Sequence, residues 1–244
     1  VAEREEAVGW ACKENSLFEH AFDLRDTIRQ AKFVYLCRDG RDVAVSMQNV
    51  PTHDEHVYYI AREWLDEQLD CLRVLQELEP RGHATLLKYE DLIEEPEREL
   101  RRICEFVDID YHPRMLGFHK LEETQKAADK TVFWENLSQP VMSDNKGKFY
   151  EELTERERKI FESQAAAGLD LLGYPREFAG EDLELTAVEM AKIDVENWVK
   201  RKFQERERLQ ESGREERDAM LSRVRGRRME ARPLEAFGDE TVYR

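Results

Sequence analysis

The chain has 244 residues, with 38 Lys and Arg against 54 Asp and Glu, a formal net charge of −16 and a pI near 5.0. That balance argues against a general nucleic-acid binder, and the length allows one substantial core with an appendage. The four cysteines, Cys12, Cys37, Cys71 and Cys104, show no paired metal-ligand spacing and three lie in apolar patterns. Buried free thiols, no bound metal and a reducing, cytoplasmic compartment are therefore expected. Neither a signal peptide nor a stretch long enough to span a membrane is visible.

In chain order, Leu17 to about Gln30 reads as a helix. Phe33 to Cys37 is a short apolar run rich in β-formers, Asp39 and Gly40 are turn residues, and Val43, Ala44 and Met47 recur at helical spacing. A loop with His53 and His56 precedes a long amphipathic helix from His56 to Leu78, with Val57, Ile60, Trp64, Leu65, Leu72 and Leu75 on one face, expected to pack on the sheet. Both histidines are candidate bases by residue type and surface loop residues by base rate. From Ala84 the pattern is a buried strand, a turn, and a helix opened by Pro96, whose missing N–H is harmless at a first helical position. Leu100, Ile103, Cys104 and Val107 form its apolar stripe.

Lys146-Gly147-Lys148 follows in a loop, and Thr154 with Glu157 makes a capping box for a helix ending at Leu171-Leu172-Gly173-Tyr174. Beyond residue 178 the character changes. Val188, Ala191, Val195, Trp198, Val199 and Phe203 form a helical stripe, read as the face of a docking helix. Residues 204–232 are almost wholly charged and read as a solvated arm, and 233–244 as a flexible end in which Phe237, Val242 and Tyr243 are candidate anchors. No strong heptad repeat supports a long coiled coil.

Arg38 would end the first strand and Ser46 would lie in the following helix, so that a guanidinium, a hydroxyl and the N–H groups of a helix start converge on one phosphate or sulfate. The competing reading is a solvated cluster in which Asp39 or Asp42 pairs with Arg38 or Arg41. Gly147 between two lysines allows a close backbone approach to a phosphate with ammonium groups on both sides; a solvated basic turn is the alternative. Tyr89 reads equally as a core tyrosine or a nucleotide contact.

Four ordered pieces between residues 9 and 175 resemble the sulfotransferases that use 3′-phosphoadenosine 5′-phosphosulfate. They are Cys12-Lys13-Glu14; Arg38-Asp-Gly-Arg with Ser46; Tyr89-Glu-Asp-Leu ahead of Pro96; and Lys146-Gly147-Lys148 with the Leu-Thr helix start and Leu-Gly-Tyr end. Arg38-Asp-Gly-Arg is similar to the tyrosylprotein branch, and Asn15-Ser16 stand where relatives carry Pro. The resemblance implies an α/β fold of the P-loop type, a parallel sheet flanked by helices, over 1–178, with a charged helical extension over 179–244. It implies that Arg38 and Ser46 hold the 3′-phosphate, Tyr89 approaches adenine, Lys146, Gly147 and Lys148 close over the nucleotide, and Lys13 lies nearest the reacting centre.

The implied reaction moves a sulfuryl group to a hydroxyl or amine acceptor, whose class is open, without an obligatory metal. The family's Gly-rich phosphosulfate loop does not occur before residue 38, so a shortened form, or a partner chain supplying the loop, is expected, and low activity with it. Two other classes stay open: a non-catalytic partner-binding protein on this scaffold, disfavoured if an upstream Gly-rich loop exists, and a nucleotide or sugar kinase, favoured by a magnesium requirement. A second copy or a protein partner through the C-terminal helices is a further expectation.

Overall fold

The protein was analysed as a computed structural model that describes residues 9, 11–48, 56–128, 136–181 and 183–208. The architecture is α/β, mostly helical around a small parallel sheet. A short 3₁₀ turn, Leu17–His20, leads into α1 (Ala21–Thr27), which ends three residues before the expected boundary. Strand β1 (Phe33–Cys37) is followed by α2 (Gly40–Gln48) and the long α3 (Val57–Leu78). Strand β2 (Ala84–Lys88) runs parallel to β1, with Phe33 opposite Ala84 and Cys37 opposite Lys88. The return path is α3, since a parallel partner requires a crossover.

After β2, the expected turn is itself helical: α4 (Tyr89–Glu94) abuts α5 (Pro96–Phe106). A 3₁₀ stretch (Pro113–Lys120) and α6 (Glu122–Ala128) follow. The last part holds α7 (Phe149–Glu152), α8 (Glu155–Leu171) and α9 (Ala187–Arg208). Thr154 and Glu157 form the capping box at α8 in both directions, and Gly173 has the left-handed φ of 70° that a helix stop requires.

The core lies between α3, α8 and one face of the sheet. Val57, Ile60, Trp64, Leu72 and Leu75 of α3 are buried as the stripe predicts. Gly168 of α8 allows the close approach: a Cβ there would lie 2.9 Å from the Trp64 ring. Gly40 is tighter still, with a Cβ position 2.5 Å from Phe161 and 2.6 Å from Trp64. The other face of β1 is open. Val34 and Leu36 are exposed, while on β2 Arg102 of α5 donates to Thr85 Oγ1 and the Leu86 carbonyl.

The apolar stripe on α9 faces away from the body of the protein. Val188, Val195, Trp198 and Val199 are exposed, whereas Ile193 and Asn197 are buried against the body. Polar contacts decide the orientation: Asn197 Oδ1 accepts from the His56 N–H, Tyr59 donates to Asp194, and Arg156 pairs with Glu189. Thr186 and Glu189 cap the start reciprocally. Residues 209–244, which hold most of the charged arm and all of the end, lie outside the described residues. No helix among the described residues is long and apolar enough to cross a membrane.

Arg41 ties these layers together. It is 1% exposed, bonds Asp39 through Nε and Nη2 at 3.0 and 2.7 Å and Glu162 of α8 at 2.6 Å, and lies over the Phe149 ring at 4.1 Å. Burial alone would weaken its charge, but bonds to both carboxylates outweigh that and hold its pKa above the ordinary value. Arg41→Ala leaves Glu162 and Asp39 sealed without a counter-charge. A loss of about 3–5 kcal/mol in unfolding free energy is expected, read from the shift of the urea midpoint; a midpoint change within experimental scatter would contradict this assignment.

Candidate functional site

The handover from β1 to α2 places Arg38 at the end of the strand. Its ring partner is Tyr89, at the start of α4, with the guanidinium carbon 4.7 Å from the ring centroid. The two strands set this contact: Cys37 is opposite Lys88 in register, so the next residue of each strand falls side by side. Arg38 Nη2 donates to the Asn145 carbonyl at 3.1 Å and stands 3.9 Å from Asp42 Oδ2. Its Nε is buried and without a hydrogen-bond partner among the described residues. A buried donor left unpaired is costly, and an anion at this point would satisfy it. Such a donor is chemically matched to an oxyanion.

The loop before α7 completes the arrangement. Asn145 Nδ2 donates to the Tyr89 hydroxyl at 2.6 Å, Lys146 pairs with Glu94, and Gly147 adopts a φ of 69°. Asp42, 1% exposed, accepts from the Gly147 N–H at 2.7 Å and the Phe149 N–H at 3.1 Å. Lys148 is exposed and precedes the first turn of α7.

Beneath the site runs a second polar chain. Glu90 accepts from the Asp39 N–H at 2.9 Å and from the Tyr174 hydroxyl at 2.9 Å. That hydroxyl lies 3.6 Å from Cys37 Sγ. Burial first, and then the neighbouring Cys37 and Glu90, raise Tyr174 far above the ordinary phenol value, so it remains a donor.

Arg38, Tyr89 and the loop carrying Lys146 and Gly147 thus meet here. Tyr89 serves both readings, its hydroxyl satisfied by Asn145 and its ring against Arg38. Ser46 is exposed within α2, and Lys13 is exposed with Nζ donating to Asn15 Oδ1 at 2.8 Å. No described contact joins Ser46 or Lys13 to Arg38. Two expected donors are engaged differently. Asp39 caps α2 by accepting the Arg41 N–H at 2.9 Å, so that N–H faces a carboxylate, and the Gly147 N–H is held by Asp42. The solvated Asp and Arg cluster is corrected as well: Arg41 does pair with Asp39, but inside the protein. His56 caps α3, its Nδ1 accepting from the Tyr58 N–H at 3.1 Å, while His53 lies outside the described residues.

Asp42, Asn145 and Glu90 carry no sequence signal as site residues. Their positions relative to the motifs were the available hint, since each lies within four residues of Arg38, Gly147 or Tyr89.

Residues 1–113 match the profile of the sulfotransferase family. A putative protein-tyrosine sulfotransferase of Caenorhabditis briggsae is 35% identical over 98 residues, which are 37% of this chain and 34% of that protein. An uncharacterized protein of Aquifex aeolicus (strain VF5) is 32% identical over 105 residues, 40% of this chain and 14% of that protein. The chain thus spans about a third of the first relative's length and less of the second's. Over residues 1–113 it is similar to the sulfotransferase family. That span takes in Lys13, Arg38, Ser46 and Tyr89 and ends before the loop at 145–149.

Burial pushes the Cys37 thiol up to about 11 and the Cys71 thiol up to about 12. The thiolate is the reactive form, so both are held unreactive near neutral pH, and Cys104 is buried too. With a thiol reagent at pH 8, exposed Cys12 should label fast and the other three only after denaturation. Fast labelling of Cys37 in the folded protein would contradict the burial of this strand end.

Proposed function

We propose that this chain carries the nucleotide end of a sulfotransferase that uses 3′-phosphoadenosine 5′-phosphosulfate, on a P-loop-type scaffold. The observation that carries the reading is Arg38: a guanidinium at a strand end, stacked on Tyr89, with a buried Nε that lacks a partner. Arg38 would hold the 3′-phosphate, with Ser46 in the same role from the next helix, and the Tyr89 ring would border the adenine end. Lys146 and Lys148 would face the nucleotide from the loop, and Lys13 the reacting centre.

The donor supplies an activated sulfuryl group. The acceptor oxygen or nitrogen forms a bond to sulfur as the sulfur–oxygen bond to the phosphate breaks, releasing adenosine 3′,5′-bisphosphate and the acceptor's proton. What the protein contributes to such a transfer is alignment and charge stabilisation. The name of the worm relative, a putative protein-tyrosine sulfotransferase, makes the hydroxyl of a peptide tyrosine the first acceptor to try.

A second reading, a non-catalytic partner-binding protein on this scaffold, draws on the outward apolar stripe of α9.

Calorimetry on the intact gene product tests the first reading. Adenosine 3′,5′-bisphosphate should bind at least tenfold tighter than adenosine 5′-monophosphate, the order expected for a charge-assisted contact. Arg38→Ala should erase the difference. Equal or absent binding would leave the partner-binding reading as the better account. Glu94→Gln releases Lys146 from a half-exposed pair, and a gain of roughly two- to fivefold in bisphosphate affinity is expected, as suits a contact of under 1 kcal/mol.

A further inference from the structure

The loop at 145–149 lies outside the family match, yet it is bonded into the Arg38 region through one buried side chain. Asp42 sits in the first turn of α2 and is 1% exposed. Its nearest cation is Arg38 Nη2 at 3.9 Å, longer than a hydrogen bond. Its two oxygens are spent instead on backbone donors, Oδ2 on the Gly147 N–H at 2.7 Å and Oδ1 on the Phe149 N–H at 3.1 Å. Around this clasp, Arg38 donates to the Asn145 carbonyl, Asn145 donates to Tyr89, and the Phe149 ring covers Arg41.

A carboxylate beside an anion site has two opposed effects. Its charge weakens binding of any phosphate at Arg38, by Coulomb repulsion in a region of low dielectric. Its hydrogen bonds hold the loop, and with it Lys146, in one place. Ligand-free closure of such a loop removes an ordering cost that binding would otherwise carry.

We propose that Asp42 is a positioning residue, a latch that fixes the 145–149 loop against the strand-turn-helix before any nucleotide arrives. The loop is then a preformed wall of the site rather than a flap that closes on the ligand. This inference rests on the reading of the Arg38 region as a nucleotide site, and its test separates the two.

The first measurement uses no ligand. By amide hydrogen exchange followed by NMR, the Gly147 and Phe149 N–H groups of the free protein should be protected, and in Asp42→Asn they should exchange at least tenfold faster. Asp42→Asn keeps the shape of the side chain and removes its charge and one strong acceptor. The second measurement is calorimetry with adenosine 3′,5′-bisphosphate and adenosine 5′-monophosphate, at a temperature where circular dichroism shows Asp42→Asn folded. The latch predicts at least a tenfold loss of bisphosphate affinity and little change for the monophosphate. Charge removal alone predicts the opposite sign, tighter binding of the bisphosphate.

Unprotected Gly147 and Phe149 amides in the free wild type would overturn the latch. So would Asp42→Asn protein that binds the bisphosphate as tightly as wild type or more tightly. A wild type without preference for the bisphosphate would instead overturn the nucleotide reading, with the exchange data still deciding whether the loop is latched. If Asp42→Asn does not fold, exchange in the wild type alone decides.

Discussion

A guanidinium sealed from water must find its counter-charges inside the protein, and Arg41 dictates where four separate stretches of chain can run. Asp39 must stand beside it at the end of β1, Glu162 must face it from α8, and Phe149 must lie flat against it. Glu162 in turn accepts the Glu177 and Phe178 N–H groups at 3.1 and 2.9 Å, which fixes the segment leaving α8. Buried ion networks of this kind add little net stability, since desolvation offsets the attraction. Their effect here is on arrangement: a displaced α8 would leave a charge unpaired, and a shifted α7 would uncover the guanidinium. The close approach of Gly40 to Trp64 and Phe161 fixes the same junction by packing.

With that junction fixed, the side chains on either side of Arg41 in sequence have determined surroundings. Asp42 falls beneath the loop before α7, and Asp39 presents its own N–H to Glu90 across the sheet. Arg38 is left at the strand end with Tyr89 as its platform. The parallel register of β1 and β2 places the Arg38 and Tyr89 backbones side by side, and the Asn145 side chain closes the remaining edge. The candidate site is thus a consequence of the buried network rather than an addition to it.

Local and periodic features were legible in the sequence. Strand 33–37, the helix from 57 to 78 and the reciprocal cap at Thr154 and Glu157 each depend on neighbours a few residues away, and each is found where the pattern puts it. Long-range choices were not. Charged residues are ordinarily exposed, so Arg41 and Asp42 read as surface; the partner that buries Arg41 lies 121 residues away. The outward orientation of the stripe on α9 was hidden for a related reason. Periodicity shows which residues share a face, but the orientation was settled by Asn197, Asp194 and Glu189, polar side chains whose partners on α3 and α8 no helical pattern can reveal.

An acidic chain that holds an anion must do so by local arrangement, and the cations near Arg38 show how little free positive charge is involved. Arg41 is neutralised on two sides, Lys146 is paired with Glu94, and Asp42 stands close to Arg38. A phosphate entering here would exchange with carboxylates already present instead of meeting an open field of positive charge. Among the described residues, Arg38 Nε is one of five buried side-chain polar atoms without a hydrogen-bond partner, and it is the one that lies at this strand end. An unpaired buried donor carries a cost of about 1–3 kcal/mol, and a ligand oxygen that removes that cost gains selectivity from direction as well as charge. The Tyr89 ring holds the guanidinium plane for that direction, and Asn145 holds both, which makes the short segment beyond the family match a structural part of the same site.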